Sequence, residues 1–87
     1  MPYGHKEWLA EYDGHSIRVV NSWFGGAKLY IDGDIRDSTN ALFAVGEKLL
    51  SAKINDKGDI VEIIIHATFS TKVKILVNDY QIGGDKF

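Results

Sequence analysis

Apolar and polar residues alternate along two segments in the second half of the chain. Between residues 60 and 69 every odd position is apolar, comprising Val61, Ile63, Ile65, Ala67 and Phe69. Between residues 72 and 78, Val73, Ile75 and Val77 alternate with polar side chains, and Leu76 is the exception. Successive side chains of a strand point to opposite faces, whereas a helix would spread these residues around its surface. The pattern therefore predicts two strands, each with one buried face.

Turn residues separate further segments of the same kind. Trp8, Ala10 and Tyr12 share one phase of the segment 7–12, and Asp13-Gly14 then predicts a tight hairpin turn into a strand over 15–20. Asp32-Gly33 closes a strand over 28–31, and further turns are expected at 56–59 and 78–79. The sequence thus predicts an all-β fold, an antiparallel meander that forms a small β-sandwich or an open barrel. We expect a single domain over 1–87, with short flexible ends near 1–4 and 83–87.

The stretch from residue 38 to 54 has two interpretations. Leu42, Val45, Leu49 and Ala52 fall at helical spacing behind Ser38, a possible N-cap, so the alternative is an α+β fold with one helix near 39–52. With a period of two, Leu50, Ala52 and Ile54 face inward instead. We favour a strand over about 48–54, preceded by a loop or short strand through 42–45.

Residues 28–35 share a pattern with residues 74–82. Each segment has a lysine, an apolar run, a turn that contains Asp or Asn, and a returning isoleucine. Turn chemistry alone explains such a likeness. If the likeness reflects a repeat, the domain consists of two similar β-units packed face to face.

A family resemblance is carried by short motifs between residues 30 and 79. They are Tyr30-Ile31-Asp32-Gly33, Phe43-Ala44-Val45-Gly46, Ala52-Lys53-Ile54 and Ile75-Leu76-Val77-Asn78-Asp79. Their order resembles that of the compact β-sandwich domains of the Fas apoptotic inhibitory molecule family, and a small microbial domain of the same shape is the alternative. The resemblance implies a non-enzymatic β-sandwich that acts through protein contacts. It implies no particular site residue.

Composition narrows the possible functions. The 87 residues carry a net charge of −2, so the chain lacks the basic excess that nucleic-acid binding requires. The absence of cysteine excludes disulfides, thiol nucleophiles and thiolate zinc sites. No apolar run approaches the roughly 20 residues of a membrane-spanning helix. Charges lie where an export signal would have its apolar run, so we expect a cytoplasmic protein with neither nucleic-acid nor membrane partners.

Residues with catalytic or metal-binding chemistry do not form a recognisable motif. His5, His15 and His66 are too far apart in sequence for metal-ligand spacing. The acidic cluster of Asp32, Asp34 and Asp37 lacks the later glutamate of a calcium loop and is interpreted as a solvated turn. We therefore expect no catalytic residue, no cofactor and no metal, and a protein that is not an enzyme.

Aromatic residues supply the candidate binding positions Trp23, Phe24, Tyr30 and Tyr80. Trp23 and Phe24 precede Gly25-Gly26 in an expected loop, and both cannot point inward, so one is available for contact. The leading hypothesis is a protein-interaction or self-assembling domain with half-apolar outer faces, exemplified by Ile60 and Ile64. The alternative is a small-ligand or carbohydrate-binding β-module that stacks its ligand on Trp23, Tyr30 and Tyr80.

Overall fold

A computed structural model describes residues 5–22, 26–40, 44–67 and 70–86. These residues form eight strands: β1 (His5–Tyr12), β2 (His15–Ser22), β3 (Gly26–Ile31), β4 (Asp34–Thr39), β5 (Ala44–Lys53), β6 (Ile60–Ala67), β7 (Thr71–Val77) and β8 (Tyr80–Gly84). Sheet 1 contains β1 to β4 and sheet 2 contains β5 to β8, both antiparallel and both in chain order. The predicted all-β meander is confirmed as a sandwich of two open sheets.

Three of the hairpins close with two-residue turns whose chemistry is visible in the sequence. Asp13-Gly14, Asp32-Gly33 and Asn78-Asp79 all have positive φ at both turn positions. This backbone matches the right-handed twist of the paired strands, and Gly, Asn and Asp tolerate it best. The predicted turns at these positions are confirmed.

The core lies between the two sheets and consists of the inward-facing side chains of the central strands. Its fully buried large side chains are Ile17, Val19, Leu29, Leu50, Val61, Ile63, Val73 and Ile75. Trp8, Ala10 and Tyr12 of β1 pack against this cluster from the rim. The alternation predicted for residues 61–65 and 73–77 therefore places the expected side chains inside. Phe69 lies outside the described residues.

The edges of the two sheets meet at two corners, where β1 lies beside β8 and β4 beside β5. At the first corner the Trp8 indole Nε1–H donates to Asp85 Oδ2 at 2.9 Å. A side chain at Gly83 would place its Cβ 2.9 Å from that of Ala10, so glycine allows this close approach. At the second corner the amide of Ser51 donates to Asp37 Oδ2 at 2.9 Å.

The two sheets repeat one pairing scheme. The row Ala10, Ile17, Ile31, Asp34 crosses sheet 1, and the row Ala52, Val61, Val77, Tyr80 crosses sheet 2 in the same position relative to the turns. In both sheets the third and fourth strands form two pairs beyond their turn and then bulge, at Arg36 in β4 and at Ile82 in β8. The segments 28–35 and 74–82, which share a sequence pattern, therefore occupy equivalent hairpins of two similar units.

The hydrogen bonds that join the Asp32-Gly33 and Asn78-Asp79 turns to a neighbouring strand are also equivalent. The amide of Asp32 donates to the carbonyl of Ser16 at 2.9 Å, and the amide of Asn78 donates to that of Ile60 at 3.2 Å. In return, Oδ1 of Asp32 accepts from the amide of Ser16, and Oδ1 of Asn78 accepts from the amide of Ile60. Each turn is thus fastened to the second strand of its own sheet in the same way.

The structure differs from three expectations drawn from the sequence. Residues 44–53 form β5, so the alternative helix near 39–52 is not formed there, and the strand begins earlier than the expected residue 48. The acidic segment interpreted as a solvated turn continues into β4 over Asp34–Thr39. Gly83 and Gly84 belong to β8 rather than to a flexible end. Residues 1–4 lie outside the described part of the chain.

Candidate functional site

The outer face of sheet 1 carries a row of large side chains that crosses all four strands. Leu9 pairs with Arg18, Arg18 with Tyr30, and Tyr30 with Ile35. We call these four residues the exposed row. Leu9 is 66% exposed and Ile35 54% exposed, so both ends of the row present apolar surface to solvent.

Arg18 holds the centre of the exposed row in a defined position. Its Nε donates to Glu7 Oε2 at 2.8 Å, and its guanidinium carbon lies 5.3 Å from the centroid of the Tyr30 ring. A guanidinium at this distance over an aromatic face is attracted by the ring quadrupole. Arg18 and Tyr30 therefore form a preorganised cation–π pair between two exposed aliphatic side chains.

The adjacent row on the same face is more polar. It runs through Glu7, Val20, Lys28 and Ser38, again one residue from each strand. The face thus combines a central Arg–Tyr pair with exposed aliphatic side chains and polar neighbours, a mixture that is found in protein interfaces.

The equivalent row of sheet 2 is different in character. It consists of Ser51, Glu62, Leu76 and Gln81. Its one apolar member, Leu76, is only 8% exposed. The two equivalent rows thus share a backbone arrangement but not a surface chemistry.

An ion-pair network occupies the outer face of sheet 2. The ammonium of Lys48 lies 3.2 Å from Asp79 Oδ1 and 3.5 Å from Glu62 Oε1, so its side chain extends from β5 across β6. The hydrogen bond to Asp79 and the nearby charge of Glu62 raise the pKa of Lys48. This network ties β5 to β6 and to the turn between β7 and β8, on a face that also exposes Val45 and Ile60.

A second polar network joins three turns at one end of the sandwich. The carboxylate of Asp59 accepts from Asn55 at 2.9 Å, from Asn78 at 2.8 Å and from the Tyr12 hydroxyl at 3.2 Å. These hydrogen bonds, led by that of Asn55, lower the pKa of Asp59. Because every partner donates to the ionised carboxylate, the network stabilises the connection between the sheets.

The acidic cluster predicted to be a solvated turn is divided by the fold. Asp32 Oδ2 lies 2.6 Å from His15 Nδ1, and the hydrogen bond from His15 is the main reason that the pKa of Asp32 is lowered. Asp34 is exposed, whereas Asp37 binds the amide of Ser51. Within the described ranges, no three His, Cys, Asp or Glu side chains form a group that could hold a metal ion.

The two candidate aromatic residues that the structure describes lie in different sheets. Tyr30 lies in the exposed row of sheet 1, whereas Tyr80 lies in β8 of sheet 2 and is 79% exposed. The structure therefore does not bring these two rings together as stacking platforms. Trp23 and Phe24 lie outside the described residues. On β6, Ile60 is exposed and Ile64 half-buried, on the outer face that carries the ion-pair network.

Sequence reasoning missed three members of the exposed row: Leu9, Arg18 and Ile35. Leu9 left a signal, because it is an apolar residue between Glu7 and Glu11 in the polar phase of β1. Ile35 is the isoleucine that follows the Asp32-Gly33 turn, but its face could not be predicted because no strand was assigned to residues 34–39. Arg18 gains its role only from the pairing of β2 with β3.

Comparison of this chain with protein-family models, with curated proteins and with solved structures found no match. The resemblance to the Fas apoptotic inhibitory molecule family stays a prediction. Function is therefore argued from the two outer faces alone.

Proposed function

We propose that this chain is a non-enzymatic protein-interaction domain that binds through the outer face of sheet 1. The observation that carries the proposal is the contrast between the two equivalent rows: Leu9 and Ile35 are exposed in sheet 1, where sheet 2 has Ser51 and Gln81 at the equivalent positions. The same backbone in sheet 2 shows that the fold itself does not require apolar residues there.

The chemistry of the exposed row favours a protein partner. Tyrosine and arginine are enriched where binding energy concentrates in protein interfaces, and the pair formed by Arg18 and Tyr30 stands at the centre of the face. The ion pair with Glu7 neutralises Arg18, which leaves this face without the positive excess that a phosphate backbone attracts. The side chains at the ends of the row are aliphatic and bind rather than react.

Site-specific photocrosslinking in cells that naturally express the chain tests this proposal. A benzophenone amino acid replaces Leu9 or Ile35 in separate variants, and the matched controls carry it at Ser51 or Gln81 in sheet 2. Circular dichroism of each purified variant establishes that it retains the strand spectrum. We expect covalent protein adducts from the two sheet 1 positions and far fewer from the controls. No adduct from sheet 1, or equal yields from both sheets, would refute the proposal.

A further inference from the structure

We infer that the partner on the outer face of sheet 1 is a second copy of this chain, and this inference rests on the proposed function. The two copies are related by a twofold axis that lies in the interface, parallel to the strands and midway between β2 and β3. Such an axis places β1 of one copy over β4 of its partner and β2 over β3.

The exposed row is self-complementary under this operation. Leu9 lies over the partner's Ile35, and Arg18 lies over the partner's Tyr30, because the row takes one residue from each strand. Apolar ends therefore meet apolar ends, and each guanidinium meets a ring. A twofold interface requires this kind of match, because both copies contribute the same surface patch and each residue contacts a different residue of the partner's patch.

Charge disfavours a twofold axis that runs along the row. Such an axis would place Arg18 against the partner's Arg18, with like charges in direct contact. The axis parallel to the strands instead places Glu7 over the partner's Ser38 and Val20 over the partner's Lys28. No two like charges of these rows face each other in that arrangement.

The centre of the proposed interface is a cluster of two arginines and two tyrosines. Each Arg18 guanidinium already lies 5.3 Å from its own Tyr30 ring, with Glu7 bound at its edge. The partner's Tyr30 ring then covers the opposite side of the guanidinium plane. Because Glu7 and the first ring already hold Arg18, little side-chain entropy is lost on association.

The dimensions of the molecule limit the area that the dimer can bury, and therefore its expected stability. Its Cα extents are 36, 24 and 19 Å, so its largest face is comparable with the ~800 Å² per partner of a standard interface. Within the described part of this face, the large exposed apolar side chains are Leu9 and Ile35, at the two ends of the exposed row. We therefore expect a reversible dimer with a dissociation constant on the order of 10 µM rather than a permanent one.

Sedimentation equilibrium of the full chain over about 1 µM to 1 mM measures this association. We expect Leu9→Lys and Ile35→Lys each to raise the dimer dissociation constant about tenfold or more, because each buries a charge at the apolar end of the row. Ser51→Lys and Gln81→Lys add the same charge to sheet 2, and we expect changes below about twofold. A monomer throughout the series, or equal loss in the controls, overturns the inference.

Thiol crosslinking tests the direction of the axis, and the absence of native cysteine confines the reaction to the introduced positions. A mixture of the single variants Leu9→Cys and Ile35→Cys is treated with a short bismaleimide, and each variant is also treated alone. We expect rapid crosslinking in the mixture only, because the axis parallel to the strands places these two positions opposite each other on sheets roughly 10 Å apart, a distance that a bismaleimide spans and a disulfide does not. Faster crosslinking of Leu9→Cys with itself would establish the axis along the row and overturn the arrangement.

The two proposals fail in different ways. Photocrosslinked adducts with the mass of another protein, together with a monomer in sedimentation, would overturn the second copy but support the interaction face. Absence of adducts and of association would overturn both.

Discussion

The alternation along β6 makes a quantitative prediction about stability. Ile63 is fully buried between Leu50 and Ile75, whereas Ile60 on the same strand is 39% exposed on the outer face. Ile63→Ala removes every side-chain carbon beyond Cβ and leaves a cavity between the sheets. Each lost methylene costs about 0.8 kcal/mol in transfer free energy, and the cavity adds to this, giving ~2–5 kcal/mol in total.

This loss is large for the molecule. A domain of 87 residues has a free energy of unfolding of about 4–13 kcal/mol, so Ile63→Ala removes a substantial part of it. Ile63→Val removes a single methyl group and is the safer variant. We expect it to cost about 1 kcal/mol and to lower the melting temperature by about 4–8 °C.

Urea unfolding followed by circular dichroism and tryptophan emission measures these differences. The matched control is Ile60→Ala, which deletes the same atoms from the outer face, and we expect it to cost less than about 1 kcal/mol. Equal losses for Ile60→Ala and Ile63→Ala would refute the assignment of faces. A spectrum dominated by helix would refute the fold.

Three further predictions concern the corners and ends of the sandwich. Asp85→Ala leaves the Trp8 indole and the amide of Val73 without their acceptor, so we expect a loss of about 1–3 kcal/mol in urea unfolding, with Lys86→Ala as the near-neutral control. The pKa of Asp59 is lowered on folding, so its stabilisation is complete above the unfolded value of about 3.9 and disappears as pH falls through the lower folded value. Acid unfolding should therefore be less steep in Asp59→Asn, and an unchanged acid limb would count against the network. A circular permutant begins at residue 44, ends at residue 40 and joins the original termini by a flexible linker. We expect it to keep the same circular dichroism spectrum, because the β8–β1 corner is equivalent to the β4–β5 corner. Loss of cooperative unfolding in the permutant would contradict that equivalence.

The central strands could be predicted from the sequence because successive residues at their inward-facing positions are apolar. Ile63 and Ile75 stand in period-two runs of large aliphatic residues, and the turns carry residues that accept positive φ. β5 was harder to predict, because it contains two bulges, between Val45 and Glu47 and between Lys48 and Leu50. Each extra residue shifts the phase of the pattern, which explains why its apolar residues fall at helical spacing.

In the sequence, β4 is marked only by the preceding Asp32-Gly33 turn and by Ile35. Its inward residue Asp37 is polar and binds the amide of Ser51, a partner that only the tertiary fold supplies. The strand is held by pairing with β3 and not by its own hydrophobic face. The exposed row depends on that pairing, so the candidate site could not be assembled from the sequence.

The contact between the sheet edges has a consequence for how far assembly of this protein can proceed. Fibrils and open filaments grow when a new strand docks on an uncovered row of backbone donors and acceptors. Here β1 lies beside β8 and β4 beside β5, so each sheet edge adjoins an edge of the other sheet. Asp37 accepts from the amide of Ser51 in the edge strand β5, and Asp85 accepts from the indole of Trp8 in the edge strand β1. The adjoining edges and these carboxylates disfavour growth at the described edges. The association of two copies that we propose then ends with a finite particle, and we expect concentrated solutions to stay clear rather than to form fibrils.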